Sequence, residues 1–168
     1  MAAGGAGLGK KRQYHWITVR GGVVIKTVGD ILRIKGNDVW STTPDATVYE
    51  ALQTMAEKNV GALVVLDANA VVGIMSERDY ARKVILHGRS SREIRVREIM
   101  TSEVYYVRPD QDIQDCMAQM TEKRVRHLPA LENDQLVGII SIGDVVKALI
   151  AEHESTIKHL EDYITGGR

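Results

Sequence analysis

The chain has 168 residues, of which 44% are apolar, so it is long enough and apolar enough to bury a substantial core. A chain that is disordered throughout is excluded, and no run approaches the roughly 18 to 20 apolar residues of a membrane span. Twenty-two basic residues balance 22 acidic ones, which excludes a global positive field for nucleic acid or anionic lipid. The single cysteine, Cys116, excludes an internal disulfide and a four-thiolate zinc site.

The N-terminal segment differs in composition from the rest of the chain. Residues 1–29 hold five basic residues and no acidic one, which leaves 17 basic against 22 acidic residues over 30–168. The opening Met-Ala-Ala-Gly-Gly-Ala-Gly is typical of a flexible tail, which we predict over 1–23. A transit-peptide remnant is the alternative interpretation. We therefore predict a cytoplasmic protein, with the mitochondrial matrix as the alternative.

An internal repeat organises the remainder of the chain. Residues 39–79 align without a gap on residues 104–144 at a constant offset of 65, and 14 of 41 positions are identical. Upstream, 28–32 resembles 96–100 at an offset of 68, because the first copy carries three extra residues. Two copies are too few for a solenoid, so we expect a closed pair that buries a shared interface.

Each copy is predicted to fold in the order strand, helix, strand, strand, helix, an α/β arrangement with small sheets. The two later strands of each copy are separated by turn-forming triplets, Asp67-Ala-Asn and Glu132-Asn-Asp. Thr47 with Glu50 fits a capping box, and apolar residues recur at intervals of three and four in the following helix. The predicted strands are 39–43, 62–66 and 71–75 in the first copy, and 104–108, 127–131 and 136–140 in the second.

The last helices of the two copies end differently. In the first copy the helix stops near His87-Gly88, whereas in the second it is predicted to run from about residue 142 to 164. We expect the N-terminal segment or a second protomer to cover the apolar stripe of this longer helix. The stripe comprises Val145, Val146, Leu149, Ile150, Ile157, Leu160 and Ile164.

The sharpest local signal is Gly-Ile-Met-Ser-Glu-Arg-Asp at 73–79, repeated as Gly-Ile-Ile-Ser-Ile-Gly-Asp at 138–144. Each lies where a strand passes into a helix, so the serine can contact an anion and the aspartate can accept two vicinal hydroxyls. Phosphate plus ribose is the implied ligand, and a simple helix cap is the alternative. The candidate residues are Ser76, Asp79, Ser141 and Asp144.

A second feature is the basic pair Arg126-His127 at the start of a predicted strand. Arginine is well shaped for bidentate phosphate contact, and an imidazole can add a donor. The alternatives are a solvated arginine and a hydrogen-bonded core histidine. The repeat places Gly61 and Ala62 at the equivalent positions, so the two clefts between the copies are predicted to be unequal.

Further basic residues surround the junction between the copies: Arg78, Arg82, Lys83, Arg89, Arg92, Arg95 and Arg97. A solvated face is the ordinary explanation of such a run. Arg78 and Arg82 are candidates for phosphate contact at the first cleft, because they begin a predicted helix. Nucleic-acid binding is not expected, since no aromatic residues interleave with the basic ones to stack bases.

The residues that could carry catalysis or bind a metal do not form a recognisable site. Cys116 lies on the apolar stripe of a predicted helix, which favours a buried core thiol over a nucleophile. His153 and His159 are six residues apart and so do not share a helical face as paired ligands would. A glycine-rich phosphate loop of common spacing is also missing. We therefore predict no enzymatic activity and no metal site.

The duplicated unit with its two Gly-Ile-x-Ser-x-x-Asp motifs resembles a tandem pair of CBS domains, a Bateman module, over about residues 24–164. Further stretches, among them Val125-Arg-His-Leu-Pro129, resemble stand-alone CBS-pair proteins of bacteria and plant organelles. The implied fold is two β-α-β-β-α repeats packed with pseudo-two-fold symmetry. The expected organisation is a tail (1–23), repeat 1 (24–88), a linker (89–95), repeat 2 (96–152) and a helical extension (153–168).

The resemblance implies a non-catalytic regulatory module that binds AMP, ADP, ATP or NAD between the repeats and needs no other cofactor. It also implies a homodimer and a separate regulated protein of unknown identity. The alternative is a structural adaptor with vestigial clefts. The implied contacts are Asp79 and Asp144 for ribose, Ser76 and Ser141 for phosphate, Arg126 and His127 for phosphate at the second cleft, and backbone near Thr42, Thr43 and Val107 for adenine.

Overall fold

The computed structural model describes residues 25–166, so the tail predicted over 1–23 lies outside the described residues. Within this range the helices are α1 (Val28–Lys35), α2 (Val48–Lys58), α3 (Glu77–Lys83), α4 (Val96–Ile99), α5 (Ile113–Lys123) and α6 (Ile142–Ile164). The strands are β1 (Ser41–Thr42), β2 (Ala62–Asp67), β3 (Ala70–Ser76), β4 (His127–Glu132) and β5 (Gln135–Ser141). The predicted α/β fold is confirmed, and so is the long final helix.

The sheets of the two repeats share one plan but differ at their first strand. β2 and β3 pair antiparallel with β1 parallel to β2, and β4 pairs antiparallel with β5. The strand predicted at 104–108 is reduced to one bridge between Val107 and Ala130. The reason is Pro129: its equivalent, Val64, donates an amide hydrogen bond to Trp40 at 3.1 Å, and a proline has no such hydrogen to donate.

The helix ends follow the capping residues of the sequence. Thr47 and Glu50 form the predicted capping box at the start of α2. In the first repeat α3 ends at Lys83 and passes into a 3-10 turn (Ile85–His87) that Gly88 closes with a φ of 62°. That positive φ is the conformation that glycine adopts at least cost, so the predicted glycine stop is confirmed.

The short helix at the start of each repeat packs on the opposite repeat. The amide of Val28 in α1 donates to the carbonyl of Gln111 at 3.0 Å, and the amide of Val96 in α4 donates to that of Ala46 at 2.9 Å. These two bonds are related by the repeat, because Ala46 and Gln111 are equivalent positions. The exchange ties the repeats together, so each packed half contains a helix from the other half of the sequence.

Two buried clusters result from this exchange. The first contains Val48, Ala51, Met55, Leu63, Val65, Met75, Val84, Ile94, Val96 and Ile99. The second contains Ile25, Val28, Ile31, Leu32, Val107, Ile113, Cys116, Met120, Leu128, Ala130, Ile140, Val145 and Ala148. The proposed repeat boundaries at 24–88 and 96–152 therefore follow the sequence duplication, whereas the packed cores cross them.

The repeated glycines Gly73 and Gly138 make room for the exchanged helices. A Cβ added at Gly138 would lie 2.5 Å from Cδ2 of Leu32 in α1. A Cβ added at Gly73 would lie 2.7 Å from Sδ of Met100, which follows α4. A side chain at either position would force Leu32 or Met100 to shift, so the identity of these glycines in the two copies has a packing cause.

Candidate ligand-binding cleft

A cavity of about 560 Å³ lies where the start of α3 meets the start of β4. From the first repeat, Ser76, Arg78 and Asp79 line it. From the second repeat, Arg126 and His127 line it. Together with Arg82 of α3, six of the sequence-predicted candidates therefore share one hollow between the repeats, with side chains contributed from both sides.

The lining of this cavity is strongly basic although the chain as a whole is neutral. Its cationic residues are Arg78, Arg82, Lys83, Lys123, Arg124 and Arg126, and its carboxylates are Glu77, Asp79 and Glu103. Clustered charge of one sign in a concave site concentrates ligands of the opposite sign. The cavity is thus suited to an anion with more than one negative charge.

The candidate aspartate of the first repeat is held by its own helix and one neighbour. The backbone amide of Ser76 donates to Oδ2 of Asp79 at 3.0 Å, and the amide of Asp79 donates back to the Ser76 hydroxyl at 3.2 Å. The other carboxylate oxygen, Oδ1, accepts from Nζ of Lys83 at 2.9 Å and from the Thr101 hydroxyl at 3.3 Å. The capping box is therefore present, and Oδ1 carries the contacts that a ligand would compete with.

The equivalent residues of the second repeat lie elsewhere. Ser141 and Asp144 form the same capping box at the start of α6, but they are not part of the cavity lining. Instead, Nζ of Lys35 donates to Oδ2 of Asp144 at 2.8 Å and to the carbonyl of Ile139 at 2.6 Å. The capping interpretation holds for both motifs, since each serine and aspartate satisfies the first turn of its helix.

The structure changes the expected grouping of the basic pair. Sequence analysis placed Arg126 and His127 with Asp144 at the second cleft; both line the cavity that contains Asp79 of the first repeat, while His127 also pairs with Ser141 across β4 and β5 and is acted on by the charge of Asp144. The physical reason is that the two strand starts face each other: a Cβ added at Gly61 would lie 4.0 Å from the His127 ring. Residues at the start of β4 thereby reach across the junction toward α3.

The residues expected to recognise adenine are not part of this cavity. Thr42, Thr43 and Val107 are absent from its lining. The amide of Val107 donates to the carbonyl of Pro129 at 3.0 Å, and its own carbonyl accepts from Leu131 at 2.9 Å. The amide and the carbonyl of Val107 are therefore both hydrogen-bonded to β4.

Sequence reasoning missed several residues that line the cavity. They are Thr101, Glu103, Val104 and Tyr105 after α4, and Lys123 and Arg124 at the end of α5. Arg124 has a φ of 54°, as its repeat equivalent Asn59 has a φ of 53°. The left-handed turn at Arg124 brings the end of α5 back toward β4. The repeat alignment of Arg124 with Asn59 was the sequence feature that could have indicated this turn.

His127 is the titratable group at the centre of the junction. Burial lowers the pKa of His127 below its usual value, and the charges of Lys35 and Arg126 act in the same direction. The carboxylate of Asp144 opposes them. The neutral imidazole is therefore the favoured form in the ligand-free protein.

We expect the stability of the ligand-free protein to fall as the pH falls below about 6.5, the usual pKa of histidine. Below that pH the unfolded state binds more protons than the folded state, because the folded-state pKa of His127 is lowered. Urea unfolding at about pH 7.5 and pH 5.5 measures this difference. His127→Gln should reduce it and His159→Gln on exposed α6 should not; an unchanged pH dependence in His127→Gln would contradict the assignment.

The cysteine lies where the sequence indicated. Cys116 is fully buried in the second core, and burial raises the pKa of its thiol to about 12, so it is a core residue. Across residues 25–166, no three His, Cys, Asp or Glu side chains are grouped to hold a metal ion. Over the same residues, no helix combines the length and apolar character needed to cross a membrane.

Comparison with known proteins identifies the class. The family model for the CBS domain matches residues 28–85 and 96–151. The chain therefore belongs to the CBS domain family and contains two CBS domains, as the sequence motifs predicted.

Individual relatives extend this assignment. The chain is 42% identical over 151 residues to the mitochondrial CBS domain-containing protein CBSX3 of Arabidopsis thaliana, covering 84% of this chain and 73% of the relative. It is 52% identical to a putative signal-transduction protein with CBS domains from Burkholderia ambifaria, with a TM-score of 0.73 over 75% of this chain and 95% of that one. The CBS domain pair of protein MJ0100, solved with 5-methylthioadenosine and S-adenosyl-L-methionine, shares the fold at 21% identity and a TM-score of 0.66, covering 76% of this chain and 98% of that one.

Proposed function

We propose that this chain is a regulatory, energy-sensing module without catalytic activity of its own. It binds an adenine nucleotide, AMP, ADP, ATP or NAD, in the cavity between its two CBS domains. The observation that carries this proposal is the convergence of six cationic side chains and the carboxylate of Asp79 on one hollow of about 560 Å³. Its volume falls within the range of pockets that hold small molecules.

The parts of the cavity match the parts of a nucleotide. Arg126 and Arg78, on opposite sides of the junction, supply charge-assisted hydrogen bonds to phosphate. The ribose hydroxyls donate to Oδ1 of Asp79 in place of Lys83, whose side chain is 42% exposed and whose Nζ also donates to the carbonyl of Ile99 at 2.6 Å. Val104 and Tyr105 offer the base an apolar and aromatic surface, in place of the backbone groups near Thr42, Thr43 and Val107.

Titration calorimetry with AMP, ADP, ATP and NAD tests the proposal. We expect saturable binding of at least one of the four, and Asp79→Asn should weaken it about tenfold through loss of a charge-assisted hydrogen bond. Asp67→Asn, an exposed change at the end of β2, is the matched control and should bind as the native protein does. If none of the four saturates the native chain near millimolar concentration, the nucleotide proposal is wrong.

Oligomerisation and a separate target protein complete the proposal. α6 exposes Val146, Ile150, Ile157, Leu160 and Ile164 on its apolar side. A second copy of the chain covers this surface in a homodimer, because an apolar stripe of this length is costly to leave in water. The signal passes to a regulated protein whose affinity changes when nucleotide shifts the conformational populations of the module. Cytoplasm is the proposed location and the mitochondrial matrix the alternative; the name of the Arabidopsis relative, which says mitochondrial, supports a mitochondrial location.

The second candidate function is a structural adaptor with vestigial clefts. It is favoured by the two complete capping boxes, which already give each Ser-x-x-Asp motif a structural role. In that case Asp79→Asn lowers the stability by the roughly 1 kcal/mol typical of a cap. Thermal unfolding with and without nucleotide separates the two functions, since an adaptor shows no ligand-dependent increase in melting temperature.

A further inference from the structure

We propose that the cavity between the two CBS domains selects nucleoside triphosphates over monophosphates, because two arginines extend its cationic surface beyond the pair assigned to one phosphate. That pair is Arg78 with Arg126, and the additional arginines are Arg82 and Arg124. We call these four residues the cavity arginines. The inference rests on the proposed function of the cavity and names the class of nucleotide that it takes.

The cavity carries more positive charge than one phosphate neutralises. Its lining has six cationic side chains against three carboxylates, an excess of three positive charges when His127 is neutral. A phosphate monoester carries only about −1.5 to −2 charges at neutral pH. A monophosphate therefore leaves part of this charge without an anionic partner, whereas a chain of phosphates compensates more of it.

The cavity arginines are the cations of the lining that no protein carboxylate engages. Across residues 25–166, none of their guanidinium groups takes part in a hydrogen bond or an ion pair. By contrast, Nζ of Lys83 lies 2.9 Å from Oδ1 of Asp79, and Nζ of Lys123 lies 2.8 Å from Oε1 of Glu122. An incoming phosphate consequently meets the cavity arginines without first displacing a carboxylate from them.

The carboxylates of the lining leave the cavity arginines uncompensated. Oε1 of Glu103 accepts a hydrogen bond from the Tyr105 hydroxyl at 2.7 Å, and Oδ1 of Asp79 is paired with Lys83. Glu77 is exposed and forms no ion pair within the described part of the chain. The excess positive charge is therefore available to a ligand.

The cavity arginines stand in two pairs on opposite sides of the cavity. Arg78 and Arg82 are four residues apart on α3, so their side chains are neighbours on one face of that helix. Arg124 follows the end of α5 with a φ of 54°, and Arg126 directly precedes β4. Each guanidinium can bind phosphate through two parallel hydrogen bonds. Two pairs of arginines are thus matched by a ligand that carries several phosphates in a row.

Titration calorimetry of the full chain with AMP and with ATP, in buffer without magnesium, tests this inference. We expect ATP to bind about tenfold more tightly than AMP, the low end for hydrogen bonds to charged groups, because the cavity arginines are exposed. The double variant Arg82→Gln with Arg124→Asn should bind the two nucleotides with affinities within about threefold of each other. Asparagine is chosen at this position because its repeat equivalent, Asn59, has the same left-handed backbone.

Two further variants show whether the charge of these arginines is responsible. The variant Arg82→Lys with Arg124→Lys keeps both charges and should restore part of the preference for ATP. Arg108→Gln is the matched control, since its side chain is 76% exposed and lies outside the cavity lining. It should keep the preference of the native chain.

The outcomes separate this inference from the proposed function. A native preference for ATP below about threefold, or a tenfold preference that survives in the double variant, would overturn the inference and leave the proposed function standing. If none of AMP, ADP, ATP and NAD binds the native chain, both are wrong. Circular dichroism establishes that the double variant is folded; if it is not, Arg82→Gln alone carries the test and should lower the ratio of ATP to AMP affinity.

Discussion

Replacing Ile31 by alanine is expected to lower the free energy of unfolding by about 2–5 kcal/mol, the usual cost of truncating a fully buried isoleucine. Ile31 lies in α1 at 0% exposure, and it packs into the core built from the second repeat. The loss arises because the cavity left by the side chain removes contacts that hold α1 on β5 and α6. Urea unfolding followed by circular dichroism measures it.

Ile34→Ala is the matched control for this prediction. It removes the same atoms from the same helix at a position that is 39% exposed, so it should cost less than half as much. Equal losses of unfolding free energy in the two variants would mean that α1 does not bury the face that carries Ile31. A small loss of unfolding free energy in Ile31→Ala would contradict the packing of α1 on the second repeat.

Replacing Arg126 by alanine is expected to weaken nucleotide binding by about 10- to 100-fold, which follows from the 1.5–3 kcal/mol of a hydrogen bond to a charged group. Arg126 lines the cavity from the second-repeat side, and we propose that it contacts the phosphate together with Arg78. Titration calorimetry measures the change. Arg126→Lys keeps the charge but loses the planar fork, so its affinity should lie between those of the native protein and Arg126→Ala.

Arg108→Ala provides the control for Arg126. Arg108 is an exposed arginine of the same repeat, paired with Asp110 and outside the cavity lining. Its removal should leave the nucleotide affinity unchanged. The native affinity should also fall as salt is raised, because the cavity owes its attraction to clustered charge. Unaltered binding in Arg126→Ala would place the phosphate elsewhere in the protein.

The elements were predictable where they depend on neighbours in sequence. The capping pairs Thr47 with Glu50 and Ser76 with Asp79 act within one helical turn, and a short motif therefore reveals them. The long α6 follows from an apolar stripe of helical period that continues past the repeat. The loss of the strand near Val107 was missed, because it depends on Pro129, which lies 22 positions away and lacks a ladder hydrogen.

The candidate site was predictable only in its residue types. The repeat identified Ser76 and Asp79, the basic pair Arg126-His127 was found at the start of a predicted strand, and chemistry assigned these residues to phosphate and ribose. The basic pair shares a cavity with Asp79 because the start of β4 faces the start of α3 across the junction between the repeats. This contact joins the two repeats, and no short sequence pattern predicts it.

By itself, then, the sequence determined the duplicated α/β unit, its order of strands and helices, its family and the burial of Cys116. These features depend on apolar periodicity and on helix capping, which are interactions between residues close together in the sequence. Only the tertiary structure decided that α1 and α4 exchange partners and that Lys35 binds Asp144. Such pairings join side chains far apart in sequence, and the packing of the two cores selects them from many that charge alone would allow.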